Sequence, residues 1–238
     1  AYDSTNGYEL WRTDGTTTTL VSDITVGGVG SYPYGFTALG SFLYFQASDE
    51  TNGYELWRSD GTSSGTLLVA DISNIPSDFG PIHLTNVNGV LFFQASQAST
   101  GGELWKSDGT AAGTTLVKDL YPGTYSANIE NLTVVGATVY FRGRDDQKYG
   151  LWKTDGTADG TTKVSSFSTG ISGPGIDNLT WFHDRMYFTA DDGTSGTELW
   201  SSDGTTPSQV ADLCTESCGS DPSGLTVVGD ALYFAAND

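Results

Sequence analysis

Basic residues are scarce in this chain: 10 lysines and arginines stand against 29 aspartates and glutamates, a formal net charge of −19 over 238 residues. Simple repulsion then opposes binding to nucleic acid phosphates or to an anionic membrane, and leaves cations, neutral glycans and basic protein patches as partners. Long apolar runs are also missing, and none approaches the roughly 20 residues that a helix needs to cross a bilayer. With neither an initiating Met nor a leader, the chain is expected to be a mature or trimmed product. Histidine is limited to His83 and His183, and no G-x-S-x-G, phosphate loop or histidine pair with metal-ligand spacing occurs. Little here points to catalysis. Cysteine is limited to Cys214 and Cys218 in C-T-E-S-C. A small-loop disulfide is the expected state, which favours an oxidising compartment over a metal site.

What is abundant is repetition. The phrase G-Y-E-L-W-R-T-D-G-T at 7–16 returns as G-Y-E-L-W-R-S-D-G-T at 53–62, G-G-E-L-W-K-S-D-G-T at 101–110, Y-G-L-W-K-T-D-G-T at 149–157 and T-E-L-W-S-S-D-G-T at 197–205. The tryptophans Trp11, Trp57, Trp105, Trp152 and Trp200 lie 46, 48, 47 and 48 residues apart, so one period consumes the chain. Each period carries four strand signals. These are an L-T-x-V/L-x-G stretch, a short aromatic strand, the E-L-W segment and T-x-L-V-x-D-I. Tight turns such as Asn88-Gly89 join them, and strict alternation would turn Glu103, Trp105 and Ser107 to one face and Leu104 and Lys106 to the other. Four antiparallel strands per period describe a propeller blade. The chain starts with a third and fourth strand (Glu9 to Ile24) and ends with a first and second (Leu225 to Ala236). The expectation is therefore an all-β single domain, 1–238. It is a five-bladed β-propeller with blades near 33–72, 80–120, 128–167 and 176–213. A last blade forms from 222–238 with 2–24, closed by a two-plus-two strand clasp that pairs Leu232–Ala236 with Glu9–Thr13.

The run from Gly102 to Leu120 resembles the ELWxxDGT repeat of large secreted proteins, mostly microbial, and the likeness extends over all five copies. Copy four departs most, with Gly150 in place of the glutamate and Val164-Ser165-Ser166-Phe167 in place of V-x-D-I. In size and blade number the chain is also similar to five-bladed lectins of the tachylectin type, although their motifs are absent. The D-G-T turns resemble the Asp-box hairpins of sialidase propellers. That resemblance implies an architectural role for Asp14, Asp60, Asp108, Asp155 and Asp203, in line with a short carboxylate that accepts backbone N–H bonds beside a glycine.

Two sets of residues invite a functional reading. Glu9, Glu55, Glu103 and Glu198 begin third strands, and Asp23, Asp71, Asp119 and Asp212 end the fourth strands beside them. Copy four loses both acids together, as Gly150 and Ser166, so the pair shares a task. Either the two acids hydrogen-bond a loop backbone in concert, or they coordinate a hard cation such as Ca²⁺. The second set is aromatic and lies on the loop face: Tyr32, Tyr34, Phe79, Tyr121 and Tyr125. Trp181, a tryptophan outside the repeat, is added as a ligand candidate with core packing as the alternative. Apolar ring faces stack on pyranose faces and carboxylates accept hydroxyl hydrogen bonds, so this set suits sugar recognition. The sequons Asn131-Leu132-Thr133 and Asn178-Leu179-Thr180 are candidate N-glycan sites.

The expected function is a non-catalytic extracellular or cell-surface module for binding or adhesion. It would recognise a glycan or another extracellular protein, with calcium as the one cofactor in view. Two other classes stand beside it. One is a self-assembling building block of a fibre, coat or matrix, and the other is a glycoside-processing enzyme.

Overall fold

In the computed structural model, residues 1–73, 80–146, 148–167, 175–214 and 218–238 are described, and every regular element among them is a β-strand. The chain divides into two compact units, Ala1–Ser126 and Ala127–Asp238.

In the first unit, β1 (Tyr2–Asp3) pairs with β2 (Gly7–Tyr8) and β3 (Leu10–Thr13) pairs with β4 (Thr18–Ser22). Two complete blades follow. One contains β5 (Tyr34–Leu39), β6 (Phe42–Asp49), β7 (Gly53–Ser59) and β8 (Leu67–Ala70), hydrogen-bonded in that order. The next contains β9 (Ile82–Val87), β10 (Val90–Gln97), β11 (Gly101–Ser107) and β12 (Thr115–Lys118).

The second unit holds β13 (Glu130–Val135), β14 (Thr138–Arg144), β15 (Tyr149–Thr154) and β16 (Thr162–Ser166) in one blade. Another is formed by β17 (Asp177–Phe182), β18 (Arg185–Asp191), β19 (Thr197–Ser202) and β20 (Pro207–Ala211), and the hairpin β21 (Ser223–Val228) with β22 (Ala231–Ala235) completes the unit. All ladders within blades are antiparallel, which is the β-propeller architecture. Besides the four complete blades, each unit holds one two-stranded half-blade. β3–β4 and β21–β22 are each two-stranded sheets, and the expected ladder between Leu232–Ala236 and Glu9–Thr13 is not among those of the described residues.

The E-L-W strand is buried on both of its faces, not on one. Glu103, Leu104, Trp105 and Ser107 are all buried in β11, with Gly101 and Lys106 part-exposed. In the four complete blades the Trp faces a phenylalanine of the second strand: Phe45 with Trp57, Phe93 with Trp105, Phe141 with Trp152 and Phe188 with Trp200. All four phenylalanines are fully buried, each removing on the order of 2–3 kcal/mol of apolar surface energy from water.

The first strand of every repeat contains a bulge at one recurring place. Gly35, His83, Asn131, Asn178 and Gly224 all have positive φ there, between 55° and 71°, and the ladder slips register across each of them. Four of these residues are further held through the hydroxyl of the Thr two positions on. Thr85, Thr133, Thr180 and Thr226 donate to the carbonyls of His83, Asn131, Asn178 and Gly224 at 2.9–3.1 Å. Within each unit the first strands are neighbours, β5 beside β9, and β17 beside both β13 and β21.

The five D-G-T turns are alike. Asp14, Asp60, Asp108, Asp155 and Asp203 accept from the backbone N–H and the hydroxyl of the Thr two residues on, at 2.6–2.9 Å. The basic residue after the Trp reaches the turn of the following blade. Arg58 Nη1 donates to the Gly109 carbonyl at 3.2 Å and Lys153 Nζ to the Gly204 carbonyl at 2.7 Å. Gly109 has no room for a side chain, since a Cβ there would lie 2.1 Å from the Tyr44 hydroxyl of the preceding blade.

Candidate functional site

The loop between β4 and β5 positions an aromatic cleft in the first unit. Tyr8 leaves β2 beside Gly30, and a Cβ on Gly30 would lie 2.2 Å from the Tyr8 nitrogen, so only glycine lets the two backbones meet. The Tyr32 N–H then donates to the Tyr8 carbonyl at 3.0 Å, which sets the two rings in a stack with centroids 5.4 Å apart. Tyr2 continues the row, 5.1 Å from Tyr8. Together with Pro33, Tyr34, Phe36, Tyr54, Trp11 and Gln46, Tyr8 and Tyr32 line a cleft of about 620 Å³. Its rings are largely open to solvent, with 46% of Tyr32, 49% of Tyr8, 53% of Phe36 and 67% of Tyr34 exposed. No lysine or arginine lines it, and its one charged side chain is the buried Glu9.

Of the aromatic residues singled out from the sequence, Tyr32 and Tyr34 come together in this cleft. Tyr121 and Tyr125 form a separate stacked pair in the same unit, 4.8 Å apart. Phe79 lies outside the described residues. Trp181, in the second unit, is half-buried and packs against Tyr140 at 6.0 Å as part of a core cluster. Tyr8 was missed because the repeat phrase hides it: Tyr54 stands at the same place in copy two, and the two look alike in sequence. Each meets a close-approach glycine, Gly30 for Tyr8 and Gly80 for Tyr54, and what separates them is that copy one carries Tyr32 where copy two carries Gly80.

The glutamates are anchors for backbone. Glu9 is fully buried and accepts from the N–H groups of Ile24 (3.2 Å), Thr25 (3.1 Å) and Ser31 (2.9 Å) and from the Ser31 hydroxyl. Glu55 accepts from Ile72 and Ser73, Glu103 from Leu120, and Glu198 from both the N–H and the hydroxyl of Ser220. The aspartates do not share this burial. Asp71 and Asp212 are exposed, while Asp23 and Asp119 are half-buried. Copy four shows what replaces the glutamate. A Cβ on Gly150 would lie 2.4 Å from Lys163 Cε, so the lysine stem fills the space, and its ammonium donates to Asp145 Oδ2 at 2.9 Å and to the Lys148 carbonyl at 3.0 Å.

The bonded glutamate oxygens face N–H and O–H donors, whose positive ends oppose a cation at the same place, whereas Asp23 Oδ1 and Asp119 Oδ1 are buried with no hydrogen-bond partner among the described residues. Among the described residues no group of three or more His, Cys, Asp or Glu side chains is placed to hold a metal. Thermal unfolding in millimolar CaCl₂ and in excess chelator, at matched ionic strength, is expected to give the same midpoint. A calcium-dependent rise would return the glutamates to a ligand role.

Burial, with Asp71 and Asp49 nearby, pushes the Glu55 carboxyl from its ordinary 4.5 up to about 7, against the two N–H bonds that favour its charged form. A carboxyl raised in the fold contributes stability that is present below 4.5 and is lost as pH rises through about 7. The melting temperature is expected to fall between pH 5 and pH 8 by more in the wild type than in Glu55→Gln. Parallel profiles would show that Glu55 does not titrate in this range.

Cys214 and Cys218 form a disulfide, with Cα atoms 5.6 Å apart. The sequon asparagines Asn131 and Asn178 occupy the left-handed bulge positions of β13 and β17, and Asn131 Nδ2 donates to Asp177 Oδ1 at 2.8 Å. Asn at this place and Thr two residues on both have backbone tasks, which accounts for the N-L-T sequence without a glycan.

No family model and no curated protein matches the chain. Among solved structures, a puromycin hydrolase S511A mutant complexed with PGG aligns at 12% identity with a TM-score of 0.53, over 84% of this chain and 31% of that one. The computationally designed Ika8 protein aligns at 13% identity, TM-score 0.49, over 92% and 59%. A putative TolB from Agrobacterium tumefaciens aligns at 12% identity, TM-score 0.43, over 82% and 65%. The chain thus spans less than two thirds of the length of each, and the likeness speaks to the fold alone.

Proposed function

We propose that this chain is a non-catalytic extracellular binding module that recognises a glycan. The observation that carries the reading is the open aromatic row Tyr2, Tyr8, Tyr32 and Tyr34, exposed on a molecule whose other large aromatics are mostly committed to blade cores. Exposed ring faces beside polar groups suit a sugar, which offers apolar C–H faces and a rim of hydroxyls. The reading is non-catalytic because glycoside hydrolysis needs two carboxylates in different environments flanking one bond, whereas Glu9, Glu55, Glu103 and Glu198 repeat one another and are spent on backbone N–H groups. The disulfide and the resemblance to secreted E-L-W-x-x-D-G-T repeats support an extracellular setting.

A glycan array, read in parallel with hydrolysis assays on the bound glycans, tests this. Saturable retention of a defined glycan without turnover is expected. Turnover would favour an enzyme, and an array without binders together with concentration-dependent assembly would favour a structural building block.

A further inference from the structure

Tyr32 occupies a place in the repeat where every other copy has a turn residue. Three residues before each first-strand bulge stand Tyr32, Gly80, Asn128, Gly175 and Asp221. Tyr32, Asn128 and Asp221 all adopt left-handed backbone there, with φ of 50°, 50° and 45°. Asn and Asp tolerate that conformation because their short side chains hydrogen-bond locally, whereas a bulky aromatic seldom occupies it. Tyr32 is thus a bulky aromatic at a place that the other copies build with Gly, Asn or Asp, and unlike His83 at the bulge its ring lines a cleft.

Two further observations lie in the same cleft. Trp11 and Gln46 both line it, and Trp11 Nε1 and Gln46 Oε1 are buried with no hydrogen-bond partner among the described residues. The unpartnered Trp donor recurs in copies two and three, at Trp57 Nε1 and Trp105 Nε1, so it is the Gln46 acceptor that sets this cleft apart, an oxygen that a sugar hydroxyl can satisfy. The cleft volume of about 620 Å³ lies in the range of small-ligand sites and holds a pyranose with its neighbour. Its charge selects further. The lining has no basic side chain, its one positive group is the Ala1 ammonium, which donates to the Glu9 carbonyl at 2.9 Å, and Glu9 beneath it with a net charge of −19 disfavours a uronate or sulfated sugar.

We infer that the Tyr8–Tyr32 cleft of the first unit is a binding site for a non-acidic pyranose, with the Tyr32 ring as its stacking platform. This rests on the glycan-binding reading above and adds the place and the chemical class.

The test uses Tyr32→Asn, which removes the ring but keeps a residue suited to left-handed backbone, as Asn128 is at the corresponding place. The probes are the methyl pyranosides of glucose, galactose, mannose and N-acetylglucosamine, with methyl glucuronide as the acidic comparison, followed by tyrosine and tryptophan fluorescence. The expected result is binding of at least one neutral pyranoside. Tyr32→Asn should weaken it by about tenfold or more while its melting temperature is unchanged or higher. Binding that survives in Tyr32→Asn but is lost in Tyr125→Ala overturns the site and leaves the glycan-binding reading standing. Preference for the glucuronide overturns the chemical class. Absence of binding to all five probes and to the glycan array overturns the site together with the function it rests on.

Discussion

Glu9→Ala is expected to cost about 4 kcal/mol or more. It orphans the buried N–H groups of Thr25 and Ser31, the Ile24 N–H and the Ser31 hydroxyl at once, each unsatisfied buried donor costing on the order of 1–3 kcal/mol. For a chain of this length each kcal/mol corresponds to roughly 2–4 °C in melting temperature, so the midpoint falls by about 8–16 °C. Calorimetry of the single variant measures it. A drop of a degree or two would mean that water enters and satisfies those donors. Glu9→Gln should recover part of the loss, because its amide oxygen still accepts while its NH₂ meets donors it cannot bond.

The second large effect is at Trp105 and Trp152. Both are buried, Trp105 within a hydrophobic cluster with Phe93 and Tyr44, and Trp152 stacked at 6.5 Å on Phe141 with Nε1 donating to the Gly143 carbonyl. Truncation to Ala should cost about 3–5 kcal/mol in each case. Trp11, Trp57 and Trp200 are only half-buried, and their Ala variants should lose less. Denaturant midpoints for the five variants give the ordering. Equal losses at all five would show that burial of the ring does not govern its contribution.

Much of the fold was legible from the period of the E-L-W-x-x-D-G-T phrase, since four strand signals between successive tryptophans admit few architectures. The D-G-T turns were legible too, because an Asp two residues before a Thr with Gly between them has an obvious backbone partner. The acids were legible only as a pair lost together in copy four. What replaces them was not, although the signal was present: Lys163 stands opposite Trp152 where Leu68 and Leu116 stand opposite Trp57 and Trp105. A small residue gained at 150 and a long cation gained at 163 are one exchange of volume and charge across two strands. The inter-blade reach of Arg58 and Lys153 was hidden for another reason. Its partners are carbonyls 51 residues ahead, and a carbonyl leaves no mark in a sequence. The cleft was half legible, through Tyr32 and Tyr34. Its other wall comes from Tyr8, which only the glycine-mediated approach of two loops brings alongside.

The bulge that recurs in every first strand offers a handle for engineering. Copies of the repeat have settled the same left-handed position with Gly35, Asn131, Asn178 and Gly224, and only His83 retains an exposed, bulky side chain there, at φ 60°. The chain thus contains its own record of which residues the position accepts, and a consensus can be taken across copies of one molecule instead of across relatives. His83→Gly, drawn from that internal consensus, should raise stability by about 1 kcal/mol, because relief of left-handed strain in the fold outweighs the added freedom of the unfolded chain.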